Sequence, residues 1–341
     1  MTLKVTPGAK YAAILGFGGY RPGRVVDNAE ICTMIDSSDE WIRTRSGIIE
    51  RRWASDDETI QMMSVSAAQK AIDRAGIEPG QIDTVIVSTV THFYQTPAVA
   101  TTIASELGAK SAAAFDISAA CAGFCYATAM ADSFIRSGAS RYVLIIGVER
   151  LSDMTNRSDR STAFLFADGA GAAVIGPSDS PGIGPVIWGS DGDQAPLIQQ
   201  TQSWHAALAL DPASYQSSPR GTNRPTLRME GNPVFKWASY TMAKAAAEAL
   251  DAAGVRPEEL DVFAPHQANM RITDAMFRAL KLPSDVVVAR DIARQGNTSA
   301  ASIPLAIEAL LESGEAHKGQ TCLIIGFGAG LVYAGQVIIL P

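Results

Sequence analysis

The sequence predicts an α/β fold built from two duplicated halves, residues 1–180 and 181–341. A helix-turn-strand pattern near residue 71 recurs 178 residues later in the chain, and the strands VLIIGV and LIIGFG are short, continuous apolar runs. Such runs are typical of strands in a sheet that helices cover on both faces. A period this long excludes a solenoid of about 20 to 50 residue units, so we interpret it as a duplicated α/β unit.

Glycine, proline and aspartate positions match between the two copies of the repeat. AIDRAGIEPGQID at 71–83 corresponds to ALDAAGVRPEELD at 249–261. Each copy predicts the end of a helix, a glycine stop at Gly76 or Gly254, a turn and then an apolar strand. A second pair with the same pattern lies further along the chain, IRSGASRYVLIIG at 135–147 and LESGEAHKGQTCLIIG at 311–326.

Composition places the chain among globular proteins. Apolar residues make up 47% and charged residues 18% of the 341 residues, which excludes disorder and fibrous repeats. The net charge of -7 works against attraction to nucleic acid or an anionic membrane, so neither partner is expected. The N-terminal residues lack the apolar core of a secretory signal, and no apolar run approaches the roughly 18 residues that span a bilayer. A cytoplasmic protein is expected.

Cysteine usage points to one candidate nucleophile. The four cysteines lack the CxxC spacing of a zinc site and the density of a disulfide scaffold, so no metal site is expected. The segment DISAACAGFCYATAM predicts a small-residue turn and then a helix that begins near Cys121. A thiol there faces the positive end of the helix dipole, which favours the thiolate. An inert core cysteine stays an alternative for Cys121, and it is the favoured interpretation for Cys125.

The repeat places two further candidates near Cys121. The segment ARDIARQGNTSAASIP corresponds to the Cys121 turn if Asp291 matches Asp116, and it then brings Asn297 within a residue or two of the equivalent position. The strand that follows Asp261 ends in PHQANMR, which contains His266. If the halves pack about a pseudo-twofold axis, Cys121, His266 and Asn297 converge. A thiol nucleophile with an imidazole and an amide that stabilise a developing oxyanion or enolate predicts acyl-transfer chemistry.

Two glycine clusters have different interpretations. GFGGY at 16–20 fails the GxGxxG spacing because Arg21 stands at the third glycine position, and no Walker pattern occurs. No nucleotide cofactor, or any other cofactor, is therefore expected. GFGAG at 326–330 follows a strand and predicts a tight turn whose backbone N–H groups can approach a ligand and serve as an oxyanion hole.

These motifs resemble those of the β-ketoacyl-[acyl carrier protein] synthase III family of the thiolase superfamily, over nearly the whole chain. The most specific are DISAACAGF, PHQANMRI, GNTSAASIP, FADGAGAAV and GFGAG. The resemblance implies a thiolase-like five-layered αβαβα fold and a homodimer, in an actinomycete-type fatty-acid or polyketide-priming member. It implies that Cys121 takes an acyl group from a short-chain acyl-CoA. His266 and Asn297 then promote decarboxylation of malonyl-acyl carrier protein, and condensation gives a β-ketoacyl product.

The resemblance also implies roles for supporting residues. The oxyanion hole would use the backbone N–H groups of Cys121 and Ala329, where alanine replaces the usual glycine. The remaining assignments are CoA binding by Ser37, Trp41, Arg45, Arg160, Gly231 and Asn232, an acyl pocket at Gln95, Thr96 and Phe327, and carrier-protein binding by Lys236, Arg271 and Arg278.

Substrate choice depends on the segment THFYQTPAV. Acetyl-preferring members place a partner-subunit Phe at the end of the acyl pocket, and the small Thr96 at this position predicts a preference for propionyl, isobutyryl or similar starters. A thiolase is disfavoured because GFGAG holds no second cysteine, and an elongating ketosynthase because Asn297 stands where a histidine is needed. The alternatives are a priming ketosynthase of an aromatic polyketide pathway, a non-condensing acyl-CoA thioesterase, or a CoA-binding paralogue.

Overall fold

The computed structural model describes residues 3–4, 6–209 and 224–341. Within these residues the chain forms two five-stranded sheets with helices on both faces of each. The elements up to the end of the first sheet are β1 (Tyr11–Tyr20), β2 (Arg24–Asp27), α1 (Asn28–Cys32), α2 (Asp39–Ser46), β3 (Glu50–Trp53), α3 (Ile60–Ala75), β4 (Thr84–Ser88), α4 (Val99–Leu107), β5 (Ala113–Ile117), α5 (Gly123–Ser137), β6 (Val143–Arg150) and β7 (Asp168–Ser178).

The second sheet and its helices follow after a short connection. Two small strands of this part of the chain pair with each other outside the sheet. The elements are β8 (Ile187–Gly189), β9 (Ile198–Gln200), α6 (Trp204–Ala209), β10 (Leu227–Met229), α7 (Gly231–Ala253), β11 (Val262–Pro265), α8 (Met270–Ala279), β12 (Val287–Val288), α9 (Ile292–Gln295), α10 (Ser302–Ser313), β13 (Thr321–Gly328) and β14 (Val332–Ile339).

The two sheets have the same strand order and directions. The first runs β1-β7-β6-β4-β5 and the second β8-β14-β13-β11-β12. In each, the third and fourth strands are parallel, and the second strand is antiparallel to both of its neighbours. The predicted α/β fold of two duplicated halves is therefore confirmed. The boundary at 180/181 stays a prediction, and it falls in the connection between β7 and β8.

Buried apolar residues divide the molecule into five layers. The central layer holds α5 and α10, whose apolar faces pack between the two sheets. Outside the first sheet, α3 and α4 bury their alanines and isoleucines. Outside the second sheet, α7 and α8 do the same. The two central helices thus begin where the sheets face each other, and this geometry positions the site.

Glycines end the helices as the repeat predicts. Gly76 ends α3 and Gly254 ends α7, both in the left-handed conformation that lacks a steric cost only for glycine. Gly138 and Gly314 end the central helices α5 and α10 in the same way. Among the described residues, no helix combines the length and apolar character needed to cross a bilayer.

Candidate active site at the N-termini of the central helices

The turns before α5 and α10 share one backbone conformation. A short 3-10 helix precedes each, at Ala120–Ala122 and at Ser299–Ala301. Ala120 and Ser299, which open these turns, have φ values of 43° and 49°, a left-handed conformation that costs energy in residues other than glycine. The two turns are therefore structurally equivalent.

This equivalence corrects the alignment of the repeat. Ala120 corresponds to Ser299, so Cys121 corresponds to Ala300, and Asn297 lies three positions earlier. The match of Asp116 with Asp291 is wrong because the short helix α9 is inserted between Asp291 and the turn.

The three predicted catalytic residues nevertheless meet. Cys121, His266 and Asn297 line one cavity of about 1690 Å³. His266 follows β11, and its backbone N–H donates to Ile325 O of the neighbouring strand at 2.8 Å. The backbone of Asn297 pairs with the chain at the start of the FADGAG segment: its N–H donates to Leu165 O and its carbonyl accepts the Ala167 N–H, both at 2.9 Å. Each residue therefore comes from a different segment, and the packing of the two halves brings them together.

Glycine 328 lets the two halves approach at the nucleophile. A Cβ atom placed on Gly328 would lie 2.8 Å from the Cys121 nitrogen and 3.1 Å from its sulfur, closer than real Cβ contacts. Ala329, the next residue, lines the cavity. The backbone of the GFGAG turn is thus held against Cys121, as an oxyanion hole requires.

Burial keeps both candidate catalytic groups uncharged in the resting protein. Cys121 keeps some exposure to the cavity, but burial raises the pKa of its thiol to about 12. The helix dipole contributes at most about 2 kcal/mol, which is less than this desolvation. In the resting protein, burial therefore outweighs the helix dipole that favours the thiolate. Burial also lowers the pKa of His266 to about 3, so the imidazole is neutral.

Ser302 orients the imidazole. Its Oγ lies 2.7 Å from His266 Nδ1, and the backbone N–H of Gln267 donates to the same oxygen at 3.3 Å. Phe327 packs edge-on against the ring, with centroids 5.3 Å apart. The amide of Asn297 is held as well, because its Oδ1 accepts the Ser299 N–H at 2.9 Å. Sequence reasoning missed Ser302, although it lies within the GNTSAASIP motif and opens α10.

Comparison with known proteins agrees with this geometry. Residues 115–192 match 3-oxoacyl-[acyl-carrier-protein] synthase III, and residues 250–340 match the C-terminal domain of the same family. The beta-ketoacyl-[acyl-carrier-protein] synthase III 1 of Streptomyces coelicolor is 58% identical over 340 residues, 99% of either chain. The chain belongs to the synthase III family.

Two further relatives extend the match. The beta-ketoacyl-[acyl-carrier-protein] synthase III of Streptomyces glaucescens is 59% identical and also covers 99% of both chains. The solved priming β-ketosynthase from the R1128 polyketide biosynthetic pathway has a TM-score of 0.95 at 49% identity, with 100% of this chain and 99% of that one covered. The five-layered fold implied by the resemblance to the synthase III family is confirmed.

At the mouth of the synthase III cavity, two guanidinium groups pack on one indole. Arg45 and Arg160 lie 5.7 Å and 4.9 Å from the ring of Trp41, and Phe164 packs edge-on against it. Trp41 and Arg45 line the cavity. Ser37 does not, and its Oγ is buried without a hydrogen-bond partner among the described residues. The two other predicted CoA-binding residues also line the cavity, Gly231 and Asn232.

Only two of the three predicted acyl-pocket residues line the cavity. Phe327 and Gln95 line the cavity, whereas Thr96 is exposed and does not. The wall near Gln95 also holds residues that sequence reasoning missed. Phe93 contacts Trp204 with ring centroids 5.5 Å apart, and the guanidinium of Arg224 lies 4.5 Å from the Phe93 ring.

Two of the three predicted basic residues surround a groove between α7 and α8. Arg271 lines both the main cavity and this groove, and its guanidinium lies 4.9 Å from the Phe235 ring. Arg278 lines the groove about two turns further along the same face of α8. Lys236 is exposed on α7 next to Phe235.

Proposed function

We propose that this protein is a β-ketoacyl-acyl carrier protein synthase III that initiates acyl chains in the cytoplasm. The convergence of Cys121, His266 and Asn297 on one cavity, in a chain of this family, carries the proposal. The reaction is acyl transfer from a short-chain acyl-CoA to Cys121, followed by decarboxylative condensation with malonyl-acyl carrier protein.

Acylation uses the turn before α5. The Cys121 sulfur attacks the thioester carbonyl, and the backbone N–H groups of Cys121 and Ala329 stabilise the oxyanion. Trp41 with Arg45 and Arg160 offers flat faces for an adenine ring. Gly231 and Asn232, also on the cavity wall, would contact the pantetheine arm. The Ser37 hydroxyl is buried away from the cavity wall, so the structure does not support its role in CoA binding.

Condensation uses the turn before α10. The Ser302 hydroxyl accepts the Gln267 N–H. We propose that it donates its own hydrogen to His266 Nδ1, so that the imidazole proton is on Nε2. Because Asn297 Oδ1 accepts the Ser299 N–H, the NH2 group of Asn297 is the part that is free to donate a hydrogen bond to the substrate. These two donors would stabilise the enolate as CO2 leaves. Loss of CO2 generates the carbanion, so we propose that no cofactor takes part.

The basic groove would hold the acidic carrier protein. Arg271, Arg278 and Lys236 provide local positive charge on a molecule whose net charge is -7. Arg271→Glu should raise the KM for malonyl-acyl carrier protein severalfold and leave CoA-dependent acylation of Cys121 unchanged. Arg136→Glu, a charge reversal at the end of α5, is the matched control. Equal loss of both steps in Arg271→Glu would contradict this role.

A homodimer would complete the acyl pocket. Strand β5 lies at an edge of the first sheet, where its outer side is unpaired among the described residues. Thr96 is exposed and lies outside its own cavity, as expected for a residue that reaches a partner's pocket. Each extra methylene buried in a wider pocket contributes about 0.8 kcal/mol. We therefore expect a higher kcat/KM for propionyl-CoA or isobutyryl-CoA than for acetyl-CoA, and a strong acetyl preference would contradict the role of Thr96.

Intact-mass spectrometry tests the function directly. The protein is incubated with acyl-CoA, and malonyl-acyl carrier protein is then added. An acyl adduct on Cys121 followed by a β-ketoacyl product supports the synthase. The absence of an adduct would indicate a CoA-binding paralogue, and hydrolysis alone would indicate a thioesterase.

A second candidate is the priming step of a polyketide pathway. The structural match to a priming β-ketosynthase, with a TM-score of 0.95, favours it specifically. Both candidates use the same chemistry, so they differ in carrier protein and starter. Turnover measured with fatty-acid and polyketide carrier proteins, each with a series of acyl-CoA starters, separates them.

A further inference from the structure

A buried carboxyl lies beside the site without a part in the reaction described above. Glu149, near the end of β6, is fully buried. Its oxygens accept hydrogen bonds from Thr91 Oγ1 at 2.6 Å, from Thr89 Oγ1 at 3.3 Å and from the Val90 N–H at 3.2 Å. Among the described residues, no cationic nitrogen lies within 4.0 Å of it. Arg150, the next residue, pairs with Asp153 instead.

Ser299 connects this carboxyl to the nucleophile. Its side chain lies beside both the Glu149 carboxyl and the Cys121 thiol, where it favours the charged form of each. Ser299 is buried, and its left-handed backbone is fixed by the bond from its N–H to Asn297 Oδ1. Strained residues persist where the surrounding structure holds them, often at functional sites. The hydroxyl is thus held between the thiol and the carboxyl.

We propose that Glu149 is the proton acceptor for the Cys121 thiol and that Ser299 relays the proton. As the sulfur forms its bond to the thioester carbonyl carbon, the thiol proton passes to Ser299 Oγ and the Ser299 hydroxyl proton passes to the Glu149 carboxylate. The bond from the carbonyl carbon to the CoA sulfur then breaks, and the CoA thiolate takes a proton from water. When condensation releases the Cys121 thiolate, the same proton returns from Glu149. The proposal rests on the proposed function.

Charge conservation supports this assignment. The transfer exchanges a carboxylate and a thiol for a carboxylic acid and a thiolate, so the buried site holds one negative charge before and after. Burial raises the pKa of Glu149 to about 8, which lets the carboxyl both accept and donate a proton near neutral pH. Cys121 is the titratable group that interacts with the Glu149 carboxyl. The other groups around this carboxyl are hydroxyls and the Val90 N–H. His266, with a pKa of about 3, is a poor proton store.

Two substitutions with a matched control test the relay. Glu149→Gln keeps the shape and removes the base, and Ser299→Ala removes the link. Ser152→Ala removes a serine hydroxyl that bonds another buried carboxyl, Asp168, at 2.6 Å. The readout is the pre-steady-state rate of Cys121 acylation by propionyl-CoA and by acetyl-CoA, followed by intact mass between pH 6 and 9.

The relay predicts a specific pattern of rates. Both single variants should acylate about 100-fold more slowly, the double variant should be no slower than either, and Ser152→Ala should match the wild type. The wild-type rate should rise with a midpoint near pH 8, and Glu149→Gln should lose that rise.

Several outcomes would overturn the relay. They are wild-type rates in either single variant, additive losses in the double variant, or a wild-type rate without a rise near pH 8. The last measurement needs no variant, so it applies even if a variant does not fold. A wild-type protein that forms no adduct at any pH would instead contradict the proposed function.

Discussion

The turns before α5 and α10 are the same backbone carrying different chemistry. Each opens on a left-handed residue, Ala120 or Ser299, and passes through a 3-10 turn into a central helix. At the next position the first turn has the thiol of Cys121, and the second has the methyl of Ala300. The polar groups of the second turn lie at Asn297 and Ser299. The two turns therefore share one scaffold, and single positions distinguish them. Under the proposed function, the first turn serves acylation and the second serves condensation.

The two turns also pack in the same way against the opposite half. Gly326 of β13 receives the first turn, since a Cβ there would lie 2.8 Å from Cys121 O. Gly147, at the equivalent place in β6, receives the second turn, and a Cβ there would collide with Ala300 O. Each turn thus depends on a glycine from the other half. The site should not survive separation of the halves.

The largest expected effect comes from exchanging the residues that distinguish the turns. Cys121→Ala should reduce acyl-adduct formation to background because the nucleophile is gone. Adding Ala300→Cys should not restore the adduct, since Ala300 is 1% exposed and is not on the cavity wall. Intact-mass spectrometry with acyl-CoA measures both. An adduct in the double variant would show that the turns are chemically interchangeable.

A smaller effect separates the steps that the turns serve. Asn297→Ala removes the amide from the second turn, and we expect condensation with malonyl-acyl carrier protein to slow by about 100-fold to 1000-fold. Acylation should slow much less, because the oxyanion hole of the first step is backbone. The rates of acylation and of condensation, each measured in samples quenched at timed intervals, provide the comparison. Equal losses in both steps would mean that Asn297 acts mainly through the Ser299 backbone.

Loosening the contact between the halves tests the packing. Gly328→Ala places a methyl group 2.8 Å from the Cys121 nitrogen, and a displaced nucleophile of this kind should lower acylation by up to about 100-fold. Gly80→Ala is the control, because nothing lies within 4 Å of a Cβ there. Acylation rates of both variants show whether this contact is needed for acylation, and their melting temperatures show whether the fold is intact. An unaffected Gly328→Ala would show that the GFGAG backbone need not touch Cys121.

The last expected effect concerns stability and its dependence on pH, with no effect on rate required. Burial raises the pKa of Glu149 from 4.5 to about 8, so between these values the unfolded chain releases a proton that the folded chain keeps. The stability present below pH 4.5 is therefore lost as pH rises to about 8. From pH 5 to pH 8 the wild type should lose a few kcal/mol of unfolding free energy relative to Glu149→Gln, since one pKa unit is about 1.4 kcal/mol.

Urea denaturation at the two pH values measures this change. Ser299→Ala keeps the carboxyl and should retain most of the pH dependence. A wild type and a Glu149→Gln variant with parallel pH profiles would contradict the burial of an ionisable group at this position.

Sequence patterns predicted the duplication and the three residues that meet, because both are written in motifs with recognisable spacing. They failed where the answer depends on contacts between distant segments. The insertion of α9 shifted the expected match of Asp291, and desolvation outweighs the helix dipole at Cys121. The bond of Ser302 to His266 spans 36 residues, and the bond of Thr91 to Glu149 spans 58. Local sequence periodicity does not predict hydrogen bonds between residues so far apart in the chain, so they are seen only in the folded structure.

The protonated state of Cys121 has a consequence for how readily this thiol is oxidised. Oxidation of cysteine to sulfenic and higher acids begins from the thiolate. Burial raises the pKa of the Cys121 thiol to about 12, so the thiolate is rare at neutral pH. Between turnovers the nucleophile should therefore resist peroxide even though the cavity is open to solvent. An exposed thiol of ordinary acidity would lack this protection.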